Sequence, residues 1–135
     1  MIQEDLTNPT NVEPLEIHTC DNFNDSLEKN LEKHPDLEQM VQDFLNEKAK
    51  NPLGQYGNKD THMGDTGKWG LVPKIKHTAL AHDMRLFYTL EGKGPRILRL
   101  YGVHSHDESG TGNPKNMNRQ DKLAKKMSKQ KFEKL

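Results

Sequence analysis

Cysteine is almost missing from this chain of 135 residues. Cys20 stands alone, which excludes an internal disulfide and any zinc site built on several thiolates. Aromatic residues make up 6% and hydrophobic residues 31%, against 30% charged, and the mean hydropathy is -1.01. That is thin for a core running through every position, so part of the chain is expected to be a poorly packed tail. No stretch approaches the roughly 20 apolar residues that cross a bilayer. The opening ten residues carry neither a basic leader nor an apolar signal segment, and the expectation is a cytoplasmic protein with no membrane partner. The length suits one domain rather than an enzyme with separate cofactor and substrate lobes. What the chain has in number is histidine, with seven.

The formal net charge of zero conceals a strong polarity. Residues 1–50 hold 4 Lys/Arg against 12 Asp/Glu, residues 51–110 hold 8 against 6, and residues 111–135 hold 8 against 2. A basic end concentrates positive potential and suits a polyanion such as RNA, although a solvated lysine-rich helix accounts for the same feature.

Periodicity supplies the elements. Residues 1–14 are polar, contain Pro9 and Pro14, and read as a loose arm. Leu15, Ile17 and Thr19 alternate with polar neighbours, which predicts a short strand. From Asp21 the period changes to four, with Phe23, Leu27 and Leu31 on one stripe and Asp21 or Asn22 as candidate N-cap; His34-Pro35 closes this helix. A second helix fits residues 35–50 on the stripe Leu37, Met40, Val41, Phe44 and Leu45, so the two form a hairpin. Residues 51–70, with five glycines, read as a loop. Strand-like runs follow at 71–78, 85–91 and 96–104, the last two joined by a glycine-rich turn. Residues 109–135 read as a basic tail, with a helix possible and no apolar face wide enough to guarantee docking. The expected fold is α+β: an N-terminal strand, a two-helix hairpin, and a three-stranded antiparallel meander completing a four-stranded sheet, with domain limits at 15–108.

The histidines fall where this fold gathers chain ends. His104 and His106 are two apart at the end of the last strand, His77 and His82 flank a turn, and His62 lies in the glycine loop. Asp83, Asp107, Lys74, Lys76 and Arg85 are close in sequence to these. Such a set serves a divalent metal site or metal-free acid–base cleavage of RNA. In the latter one side chain takes the proton of a ribose 2′-hydroxyl, its oxygen attacks the adjacent phosphorus, and a second side chain protonates the departing 5′-oxygen. Imidazole suits both proton steps near neutrality. Cations among the histidines favour the second chemistry, since they repel a metal ion and attract a phosphate. A scatter of ordinary surface histidines is the competing reading.

Residues 74–106 carry a resemblance. Lys74-Ile75-Lys76, then Asp83-Met84-Arg85-Leu86-Phe87-Tyr88, then Ile97-Leu98-Arg99-Leu100-Tyr101-Gly102-Val103-His104 form a sequence that resembles the RelE/ParE superfamily of bacterial toxins, in particular its YafQ-like endoribonuclease branch. The resemblance implies a RelE-like fold over residues 15–106 and an mRNA interferase that uses no cofactor or metal. It implies a cognate antitoxin as partner and mRNA as substrate, cut in or out of the ribosome. It assigns His104 as general acid, His62 and His77 as candidates for general base, Asp83 as the carboxylate that orients an imidazole, and Arg85 as a catalytic cation. His82 stands close enough to exchange roles with His77. Lys74 and Lys76 would contact substrate phosphates, Trp69 would stack on a base, and His106 would complete the substrate surface. Rival readings are a non-catalytic RNA- or ribosome-binding protein on the same scaffold, a histidine–metal enzyme, and a gyrase inhibitor of the ParE type.

Overall fold

The computed structural model describes residues 15–51, 54, 60–62, 76–80, 84–91, 96–105, 122, 123, 125–127 and 129–135. Strand β1 spans Leu15–Thr19, helix α1 Asp21–Leu31, helix α2 Leu37–Lys50, and strands β2 to β6 Asp60–His62, Lys76–Ala79, Met84–Glu91, Arg96–Ser105 and Glu133–Lys134. The class is α+β, and the strands form one mixed sheet in the order β2-β3-β4-β5-β1-β6. The meander β3-β4-β5 is antiparallel, and β1 lies parallel to β5 with Ile17 opposite Leu98. Parallel neighbours need a long crossover, which the helix hairpin begins.

Three expectations need correction. The sheet has six strands rather than four. Asp60–His62, expected as loop, is a strand paired antiparallel with β3; three residues between glycine-rich stretches are too few to show a period. The end of the basic tail is also part of the fold: β6 pairs with β1, and the Leu135 amide donates to the Ile17 carbonyl at 2.6 Å. Met127 and Leu123 are buried as well, so two methylene-rich side chains, together with Phe132, do the docking that a continuous apolar face was thought to require. The last correction is local. The N-cap position of α1 is Cys20, and Asn22 spends its side chain elsewhere. The helices are each shorter than their patterns, because the turns around Pro35 keep 32–36 out of both: α1 stops at Leu31 and α2 starts at Leu37.

Phe23 and Leu27 of α1 and Leu37, Val41, Phe44 and Leu45 of α2 close over Ile17, Met84, Leu86, Tyr88, Leu98, Leu100 and Val103 of the sheet. Phe44 meets Tyr88 edge-on with ring centroids 4.9 Å apart. Each such side chain contributes about 1.5–3 kcal/mol on burial. Lys48 is drawn into this region: its Nζ donates to the Gly54 carbonyl at 2.6 Å and lies 5.2 Å from the Tyr88 ring centroid.

Candidate functional site

The site depends on an irregularity in β5. Leu98 and Leu100 face the helices, so unbroken alternation would send Gly102 and His104 into the same core. Instead Phe87 stands opposite Gly102 while Tyr88 stands opposite Leu100, leaving Tyr101 as an extra residue. This bulge reverses the alternation. Val103 takes the core position beside Leu86, and His104 pairs with Arg85 on the opposite face. The chain thereby places His104 and Arg85 opposite each other on adjacent strands.

Helix α1 secures the bulged strand. β1 pairs with β5 only as far as Arg99, and beyond it α1 offers polar side chains spaced four apart. Asn22 Nδ2 donates to the Tyr101 carbonyl at 2.7 Å, Ser26 Oγ accepts from the Val103 amide at 2.9 Å, and Asn30 Nδ2 donates to the Val103 carbonyl at 3.3 Å. Cys20 Sγ reaches the Leu100 and Tyr101 carbonyls, each at 3.5 Å. Backbone groups that a strand would have paired are met by side chains of one helix face. The Asn22 amide is anchored from the other side, since its backbone N–H donates to Oε1 of Gln130 in the docked C-terminal segment at 3.1 Å.

His104 sits inside this arrangement at 7% exposure, and Arg85 beside it at 8%. The His104 Nε2 lies 3.2 Å from Asn22 Nδ2, and the ring meets Phe87 edge-on at 5.9 Å. Arg85 Nη1 donates to the Met84 carbonyl at 3.3 Å. Gly102 leaves the space for this. A Cβ there would stand 2.5 Å from Asn22 Nδ2 and 2.6 Å from His104 Nε2, closer than packed atoms tolerate. Burial pushes the Cys20 thiol above its ordinary value, and burial likewise raises the Tyr101 phenol, whose oxygen accepts from Thr89 Oγ1 at 3.4 Å.

The residues singled out from the sequence separate into three groups. His104 and Arg85 are brought together. His77 and His62 are placed by register: His77 stands in the row of Phe87 and Gly102, while His62 pairs with Lys76 in the row of Tyr88 and Leu100. Rows alternate between the faces of a pleated sheet. The His77 row therefore has the parity of the Arg85–His104 row, and the His62–Lys76 row has that of the core residue Tyr88. Lys74, Trp69, His82, Asp83 and His106 lie outside the described residues. Among the described residues no three His, Cys, Asp or Glu side chains gather as a metal site would need, and no helix is long and apolar enough to cross a membrane. Ser26 and Asn30 were not singled out, and Asn22 only as a candidate N-cap, although the pattern Asn-x-x-x-Ser-x-x-x-Asn beside the stripe Phe23, Leu27, Leu31 stands in the sequence.

No protein-family model matches the chain, and no curated protein matches it.

Proposed function

We propose that the chain is a RelE-like endoribonuclease that cuts single-stranded mRNA, the toxin of a toxin–antitoxin pair. The observation that carries the reading is the Arg85–His104 pair, turned out of the core by the Tyr101 bulge. A register that sets a histidine opposite an arginine supplies a proton carrier and a fixed positive charge on neighbouring strands, two components that transfer of a 2′-oxygen onto phosphorus uses. In this reading a base takes the 2′-hydroxyl proton, the oxygen attacks phosphorus, His104 gives a proton to the leaving 5′-oxygen, and Arg85 stabilises charge on the non-bridging oxygens. His77 is favoured over His62 as the base because its row has the parity of the pair. The order of strand, helix hairpin and antiparallel meander is the order that the resemblance implies. No metal is assigned a role, and a cognate antitoxin would act by covering this face.

The enclosure of His104 supports a second reading, a non-catalytic RNA- or ribosome-binding protein in which the Asn22–His104 contact is structural. The two separate on one assay. Purified chain incubated with a defined mRNA, with and without ribosomes and in the presence of chelator, is expected to yield 5′ fragments ending in 2′,3′-cyclic phosphate or 3′-phosphate. RNA that is bound and left intact under both conditions selects the second reading.

A further inference from the structure

Asn22 holds more of the site than its position at the start of a helix suggests. Its Nδ2 is 2.7 Å from the Tyr101 carbonyl and 3.2 Å from His104 Nε2. An amide nitrogen carries two hydrogens and no acceptor, so the orientation is determined: turning the amide over would set its oxygen against the carbonyl of Tyr101. One hydrogen goes to that carbonyl, and the other faces the imidazole. Nε2 of His104 must then be the acceptor, which leaves the ring proton on Nδ1. Protonating Nε2 would bring two donors face to face.

We infer that Asn22 is a positioning residue for His104, fixing the imidazole as the Nδ1–H tautomer with Nε2 turned toward the helix, and that Gly102 is required because any side chain would occupy the path of this hydrogen bond. The inference rests on the proposed nuclease reading only for its catalytic consequence: the resting Nδ1–H ring has no acidic proton to give, so to act as general acid His104 first takes a proton from solvent at Nε2, which parts from the Asn22 amide, and the imidazolium then returns to a neutral ring by giving one proton to the 5′-oxygen. The arrangement spans three parts of the chain. Gln130 holds the backbone of Asn22, Asn22 holds both β5 and the ring, and the bulge at Tyr101 supplies the carbonyl that orients the amide.

The test is two-bond proton–nitrogen correlation NMR on the full chain labelled with 15N-histidine, at a pH where the imidazoles are neutral. His104 of the unmodified chain is expected to show the Nδ1–H pattern. Asn22→Ala and Asn22→Asp are each expected to convert it to Nε2–H, the first because the donor is gone and the second because a carboxylate there accepts. Gly102→Ala is expected to do the same by displacing the ring. An Nε2–H pattern in the unmodified chain overturns the inference without recourse to any variant. So does an unchanged Nδ1–H pattern in Asn22→Asp, whose side chain has nearly the original shape. Failure of the unmodified chain to cut RNA overturns the function proposed above and leaves the tautomer measurement to decide this inference.

Discussion

Tyr101 is the residue on which the placement of the site turns. As the extra residue of the bulge it shifts Gly102 and His104 to the Arg85 face, and its carbonyl is the fixed point for Asn22 and Cys20. Its phenol and the Cys20 thiol are both raised by burial, which has a consequence for stability. A raised value in the folded state means that the fold prefers the protonated form. The stabilisation is whole below the unfolded values, 9.0 for the thiol and 10.0 for the phenol, and is lost as the pH climbs through the folded ones. The urea midpoint is therefore expected to fall between pH 8 and pH 10.5, and Cys20→Ser is expected to flatten the first part of that fall. An alkaline decline of the same slope in Cys20→Ser would remove the thiol from this account. The bulge was not legible in the sequence, since 96–103 read as nearly continuous apolar strand. A single extra residue leaves no mark on composition, and only the partner strand β4 reveals which residue is unpaired.

At the scale of the element, α1 is a helix with two working faces. Phe23 and Leu27 enter the core, while Asn22, Ser26 and Asn30 stand in for the missing strand beside β5. Ser26→Ala leaves the Val103 amide buried without its acceptor, and the expected cost is about 1–3 kcal/mol in chemical denaturation. A loss under a few tenths would mean that the strand edge is not held by the helix. On the core side, Phe44→Ala removes the ring against Tyr88 and is expected to cost about 3–5 kcal/mol. The apolar faces of both helices were legible because a period of four survives in sequence whatever the tertiary context. The polar face was not read, since asparagine and serine at helical spacing look the same whether they meet water or a strand. β1, β4 and β5 were found within one residue of their limits by alternation and composition, while β2 and β6, with three and two residues, lie below the length at which either signal exists.

For the molecule as a whole, the acidic segment 1–50 and the basic segment 111–135 meet in the sheet, where β6 lies along β1. Lys134 Nζ is 4.0 Å from Glu16, Phe132 meets Tyr101 edge-on at 4.8 Å, and Gln130 holds the start of α1. Ending the chain after Lys129 is expected to destabilise it by about 2–4 kcal/mol through lost apolar cover and unpaired strand edge. An unaltered unfolding midpoint would show the segment to be an appendage. Of the candidate site, the sequence offered His104 at the end of β5 and Arg85 at the start of β4 as separate candidates, and the register that pairs them emerges only in three dimensions. The central claim is that His104 transfers a proton during RNA cleavage. Its most direct test is single-turnover cleavage by His104→Gln, whose amide oxygen still accepts from Asn22 but whose side chain carries no exchangeable acid. The account predicts a rate lowered by about 10²–10⁴-fold with RNA binding and the urea midpoint nearly unchanged. Cleavage by His104→Gln at the unmodified rate would contradict it.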